Sequence, residues 1–293
     1  MPMRNNWMST KYLVLFFALV LAWTWICGFI PVVFGFTGTG AGTFVFYFGG
    51  GAPSVAALFL VFLTYPKDKR KDYFRRCFSL RKAGLKWPLI TIAVFALLSF
   101  ISVAAGVGLF GFEMPGMDYI KAVAANPLNI FLVLLLSLIS GPLNEEFGWR
   151  GYALDRLLVR FGFLKGSLFL GFIWAIWHLP WYFTPGQAQY NLLKDSVFHA
   201  VMFIPSVMLL SVFVSFVYIK TGRSILAGAL VHMFSNLIGS QLLSSYTTEI
   251  SMLIRYTNML FFLGVAVFAV CSKKFRAETA AVIESIRQQD KNE

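Results

Sequence analysis

Apolar residues in this chain gather into long runs separated by short polar breaks. A helix crosses the hydrocarbon core of a bilayer in about 20 residues, and eight runs of roughly that size can be marked off, over residues 12–33, 44–65, 87–112, 128–148, 163–183, 198–219, 224–243 and 252–271. The expected fold class is therefore all-α, a polytopic membrane helix bundle with about eight transmembrane helices. The first run has a basic flank, Arg4 and Lys11, as a signal peptide would. Its apolar part is too long for one and no small-residue cleavage site follows it cleanly, so it counts as a span.

Composition strengthens this reading. The chain is 58% hydrophobic and 13% charged over 293 residues, whereas a soluble domain averages about 45–50% apolar and 25% charged. No polar block is long enough to fold separately, so a single membrane domain over residues 1–293 is expected. Cys27, Cys77 and Cys271 lie far apart and form no CxxC pair, which suggests neither a disulfide framework nor a thiolate metal site.

The net charge of +12 is better read as setting membrane orientation than as a nucleic-acid surface, because cytoplasmic loops carry the excess of Lys and Arg. One side of the membrane would hold Arg4 and Lys11, the nine basic residues of segment 67–86, Arg156, Arg160, Lys165, Lys220, Arg223, Lys273, Lys274, Arg276, Arg287 and Lys291. The other would hold only Lys121, Lys194 and Arg255. This asymmetry predicts cytoplasmic termini, most simply in the cell membrane. Segment 66–86 interleaves Tyr73, Phe74, Phe78 and Leu80 with its basic residues, the pattern of an interfacial helix on anionic lipid headgroups. Residues 272–293 read as a solvated cytoplasmic tail.

Ionisable residues at membrane depth are costly and usually mark function, and three short segments concentrate them. In Glu145-Glu146-Phe147-Gly148-Trp149-Arg150 the i, i+4 spacing allows Arg150 to pair with Glu146 and leaves Glu145 directed elsewhere. A paired carboxylate is structural, whereas its unpaired neighbour suits a general base. In Trp174-Ala175-Ile176-Trp177-His178-Leu179-Pro180, His178 follows Trp174 by one turn, and Pro180 disturbs the helix beside it. A lone histidine of this kind is more often a core residue than a catalyst. In His232-Met233-Phe234-Ser235-Asn236, imidazole and carboxamide share a face and can donate toward one point, as an oxyanion needs, although such a pair also serves to hold helices together. His199, with only Asp195 at helical spacing, reads as an interfacial or structural residue.

Taken in order, EEFGWR, WAIWH and HMFSN resemble the motifs of the CPBP family of intramembrane proteases, whose pattern is EExxxR, FxxxH and HxxxN or HxxxD on successive spans. Trp174 departs from that pattern, keeping an aromatic wall where phenylalanine is usual. The resemblance implies peptide-bond hydrolysis within or beside the membrane, with the motifs inside residues 128–243. Glu145 and His178 would deprotonate the attacking water, and His232 and Asn236 would stabilise the oxyanion. Glu146 and Arg150, with Trp174, would support them. The substrate would be a peptide or membrane protein, and nucleic acid is not expected as a partner. A metal-free reaction is favoured because HExxH is absent; zinc, held by Glu145, His178 and His232, is the alternative. Two other classes compete: a non-catalytic immunity or scaffold protein of the same fold, and a proton-coupled transporter. The transporter ranks last because the polar cluster occupies only the second half of the chain.

These roles require convergence, yet placing Glu145 at the inner end of the fourth span leaves His178 and His232 at different depths. The expected remedy is either an interfacial stretch from Arg156 to Lys165, with the fifth span starting near Leu168, or a fourth helix that dips back and sets Glu145 deeper; the first is favoured because Gly162 and Gly166 can end and restart a helix.

Overall fold

The computed structural model describes residues 7–238 and 247–291, and every regular element among them is helical. Five stretches are long and apolar enough to cross a membrane, or six if one bent pair counts as a span. The eight runs distribute among them unevenly. Single helices α1 (Thr10–Val33), α6 (Lys86–Phe110), α12 (Val197–Lys220) and α14 (Thr248–Cys271) account for four. The second run is the pair α2 (Gly40–Gly50) and α3 (Ala52–Thr64), bent by 46°. The fourth and fifth fall inside the apolar stretch Pro127–Phe183. The seventh is α13 (Ile225–Asn236), only 12 residues long, and its expected continuation to residue 243 lies outside the described residues.

Local chemistry explains the break in the fourth run. Helix α8 (Pro127–Ile139) gives way at Ser140-Gly141, and Pro142 opens α9 (Pro142–Gly148). A proline's fixed φ and missing N–H suit the first turn of a helix. Helix α9 leads through a π-helical turn, Trp149–Ala153, into α10 (Leu154–Trp177). The reversal comes at Gly162, whose φ of 72° lies in the left-handed region that glycine adopts without a Cβ penalty.

That reversal decides which side chains Glu145 can meet. The helical path from Glu145 down to residue 161 spans roughly 24 Å at 1.5 Å per residue, and the returning arm from residue 163 reaches Trp174 after about 16 Å. Glu145 therefore lies near the start of one arm of a hairpin and meets Trp174 near the end of the other, buried within the bundle. Arg156–Lys165 forms the foot of this hairpin.

Close approach fixes the helix from the side. A Cβ on Gly148 would come within 2.5 Å of the Pro53 carbonyl oxygen on α3, so that contact demands a glycine. Ser54 Oγ donates to Leu143 O at 3.0 Å, and the Tyr73 hydroxyl donates to Phe147 O at 2.9 Å where the π turn begins.

Beneath, an ionic cluster ties the hairpin to its neighbours. Asp155, 1% exposed, receives Arg76 Nη1 at 3.3 Å, the Tyr218 hydroxyl at 2.8 Å and Arg223. Arg156, also buried, donates to the carbonyls of Trp7 and Tyr152 and lies 3.7 Å from the Tyr152 ring centroid. Helices α4 (Lys67–Phe78) and α5 (Leu80–Ala83) form the basic segment. It does more than lie on a surface: Tyr73, Arg76 and Cys77 are buried beneath the hairpin, while Phe78 and Leu80 remain exposed. The tail is α15 (Lys273–Lys291), which packs Phe275 against Phe163 and Phe216 at 4.9 and 4.7 Å instead of standing free.

Candidate active site

Three helical segments deliver the polar residues: the first turn of α9, the end of α10, and the middle of α13. Glu145 and Glu146, adjacent on α9, point in different directions and acquire different partners. The Trp174 indole Nε1 donates to Glu145 Oε2 at 2.6 Å. Glu146 Oε1 accepts from Arg150 Nη1 at 2.8 Å and lies 3.0 Å from His232 Nδ1. Glu146 and Arg150 are both wholly buried.

Arg150 has further support. Its Nη2 donates to Ser211 Oγ at 3.2 Å, and its guanidinium carbon lies 4.9 Å from the Trp174 ring centroid. Gly228 on α13 borders the pair: a Cβ there would reach ordinary van der Waals contact, 3.6 Å from Glu146 Oε2 and 3.8 Å from Arg150 Cγ.

His178 caps the end of α10, where its Nδ1 lies 2.8 Å from Trp174 O. A carbonyl oxygen only accepts, so this contact assigns the proton to Nδ1 and leaves Nε2 with a lone pair. The ring sits in an aromatic box, with centroids of Trp177, Phe203 and Trp181 at 4.6, 5.2 and 5.4 Å. His232 likewise places Nδ1 on an acceptor, the Glu146 carboxylate, and its ring stands edge-on to Trp174 at 4.8 Å. Asn236 follows one turn later, half-buried.

Trp174 thus joins the site together: it bonds Glu145 and packs near His232, Arg150 and His178. Sequence reasoning gave it only a supporting wall. It also missed the contact between Glu146 and His232, which lie 86 positions apart. His199 stands away from this group, with Nδ1 2.5 Å from Asp195 Oδ2. Among the described residues no three His, Cys, Asp or Glu side chains are spaced to hold a metal ion.

The bundle thus combines helices long and apolar enough to cross a membrane with carboxylates and imidazoles gathered in its interior. Residues 127–238 match the family model of type II CAAX prenyl endopeptidases, Rce1-like. The chain is also 26% identical over 272 residues to CAAX prenyl protease 2 of Methanococcus maripaludis, an alignment covering 89% of this chain and 94% of that protein. The protein is an intramembrane endopeptidase acting on a peptide or membrane-protein substrate, and the scaffold and transporter readings give way to it.

Proposed function

We propose that this endopeptidase hydrolyses a peptide bond close to the C terminus of a membrane-anchored protein of the CAAX type, the substrate that the name of its relative carries. Glu145, acting with His178 Nε2, takes the proton from water as its oxygen bonds to the scissile carbonyl carbon. The oxyanion is held by His232 and Asn236 until the C–N bond breaks and the departing amine takes the proton back. Glu146 and Arg150 hold His232 in place. The single observation that carries this reading is the sharing of Trp174 by Glu145, His178 and His232. Each of these groups has one polar atom fixed by a neighbour and another left for the reaction, which is the preorganisation that acid–base catalysis uses.

The proposed reaction uses no metal. Glu145 Oε2 and both imidazole Nδ1 atoms are engaged by protein groups, and each residue has a role without an ion. The termini and segment 67–86 face the cytoplasm of the cell membrane, with exposed Phe78 and Leu80 among basic residues meeting anionic headgroups.

The test is cleavage of a C-terminally anchored reporter peptide by purified protein in detergent, with mass measurement of both products. Wild type should release the C-terminal fragment, Glu145→Gln should not, and a chelator-treated, zinc-free preparation should retain full rate. Unchanged cleavage by Glu145→Gln sinks the assignment of the base; loss of rate on chelation, restored by zinc, sinks the metal-free route.

A further inference from the structure

The hydrogen bonds around His178 reach beyond the segment 127–238 that matches the family model, into α1. Helix α10 ends at Trp177, and the short 3₁₀ helix Leu179–Phe183 turns away from it with Pro180 in its first turn. In a helix that continued, the Ile176 carbonyl would accept from the N–H of residue 180, which proline lacks. The Trp25 indole takes that place, Nε1 donating to Ile176 O at 3.3 Å. One residue earlier on α1, the Thr24 hydroxyl accepts from Trp177 Nε1 at 2.7 Å and donates to Gly49 O on α2 at 2.9 Å. The hydroxyl proton and an acceptor lone pair are both engaged, so the chain of bonds has a fixed direction. Thr24 and Trp177 are 1% and 2% exposed.

Close approach completes the arrangement. A Cβ on Gly28 would come within 2.4 Å of Pro180 Cβ, so glycine is what lets α1 meet the proline. Thr24 and Gly28 share a face of α1, Trp25 lies at its edge, and together they grip Trp177, Ile176 and Pro180, the residues that bracket His178. The imidazole is anchored by Trp174 O within its own helix and by aromatic rings, of which Trp177 stands nearest at 4.6 Å. Its aim therefore depends on where the end of α10 and the Trp177 ring are held.

We infer that Thr24 and Trp25 are positioning residues for the hydrolysis: α1 holds the broken end of α10 and the Trp177 ring so that His178 Nε2 is aimed at the attacking water. This rests on the role proposed for His178. Neither residue touches the reacting atoms; each acts through the backbone or the ring beside the imidazole. Misplacing a catalytic group by about 1 Å can cost on the order of 100-fold in rate, so the loss of one hydrogen bond on α1 is felt at the imidazole. The first helix, which carries none of the three motifs, thereby belongs to the working machinery.

The experiment measures kcat and KM for the C-terminally anchored reporter peptide in detergent, with wild type, Thr24→Val, Thr24→Ser, Trp25→Phe, Trp177→Phe and His178→Ala. Unfolding temperature and monodispersity check the fold. Thr24→Val keeps the side chain's shape but strands the Trp177 indole, and should lower kcat by about 10–100-fold. KM should stay within about twofold, because no contact to substrate is removed. Thr24→Ser keeps the hydroxyl and should restore most of the rate. Trp177→Phe should lower kcat alike, and adding Thr24→Val to it should cost little more, since both remove the same bond. Full kcat in Thr24→Val, a loss that Thr24→Ser does not restore, or losses that multiply in the double variant overturn the inference while the endopeptidase reading stands. Full activity of His178→Ala overturns the role of His178 and the inference with it. If Thr24→Val does not fold, Trp25→Phe decides: it keeps an aromatic ring and removes the donor to Ile176 O, and an unchanged kcat counts against the inference.

Discussion

Glu146→Gln and Glu145→Gln make the same chemical change one residue apart, and the structure assigns them opposite consequences. Glu146 Oε1 serves Arg150 at 2.8 Å and His232 at 3.0 Å, and both members of the ion pair are 0% exposed. Removing the charge leaves Arg150 buried without its counterion, a loss of about 3–5 kcal/mol in such settings. Ser211 and the Trp174 ring remain to Arg150, and the cation–π contact retains up to about 2 kcal/mol, so about 3 kcal/mol is expected net. At about 2–4 °C per kcal/mol for a chain of this order of size, the unfolding midpoint should fall by about 6–12 °C. Glu145→Gln keeps an oxygen that accepts the Trp174 indole, so it should cost less than about 1 kcal/mol while eliminating cleavage. The assay is thermal unfolding in detergent alongside product release, with Arg150→Met and the double variant Glu146→Gln/Arg150→Met closing a cycle. The double variant should be more stable than the sum of the single losses, because it strands no charge. A larger drop for Glu145→Gln than for Glu146→Gln would reverse the two roles.

Further expectations follow from single contacts. Trp174→Phe keeps the aromatic wall but loses the indole donor to Glu145, and should lower kcat/KM by about 10–100-fold, the worth of one hydrogen bond to a charged group, with the unfolding midpoint nearly unchanged; full activity in this variant removes Trp174 from the site's working parts. Gly148→Ala drives a methyl against the Pro53 carbonyl at 2.5 Å, and should cost about 1–3 kcal/mol in unfolding measurements; a neutral effect would mean α3 and α9 slide apart freely. Exposed Cys271 should resist an impermeant maleimide on intact cells and react once membranes are opened, whereas Cys77, buried with its thiol pushed up to about 12 by desolvation, should stay unlabelled in both; outside labelling of Cys271 inverts the topology. Burial alone would raise the Asp72 carboxyl, but Arg76, with Arg75 and Arg223, outweighs it and holds the group below its ordinary value of 3.8. Its stabilisation is therefore present above about pH 4 and fades as pH falls further, so Asp72→Asn should flatten the acid limb of stability against pH; parallel limbs would show that Asp72 carries none of it.

Much of the fold was legible because hydropathy directly records contact with lipid: the long helices sit where the apolar runs are. Hydropathy does not record where a chain reverses. Gly162 turns the fourth and fifth runs into a hairpin by adopting a positive φ, which an apolar window cannot register, so the meeting of Glu145 with Trp174 is invisible to it. The i, i+4 spacing found the pair Glu146–Arg150 because both residues share one helix. It had no access to Glu146–His232 or Trp174–Glu145, which depend on how separate helices pack. The inward stripe of the basic segment was available in the four-residue spacing of Tyr73 and Cys77, yet Arg76 beside them reads as surface charge until Asp155 is seen beneath it.

The helix that begins at Pro142 bears on how the protein is made. From Glu145 to Arg160 it carries six charged side chains, and each near the bilayer centre adds about 2.5–3.5 kcal/mol to insertion. This segment is a poor passenger for the translocon by itself. Partners for its foot, Trp7, Tyr65 and Arg76, emerge earlier from the ribosome, while Ser211, Tyr218, Arg223 and His232 emerge later. Biogenesis should therefore proceed from the foot of the hairpin upward: the arginine-rich end docks first, and the two glutamates wait in a partly hydrated intermediate for α12 and α13. A nascent chain arrested after residue 183 should leave this hairpin open to added protease, and one released after residue 238 should shield it. The cluster of Glu145, Glu146, Trp174 and His232 is complete only once α13 has been synthesised.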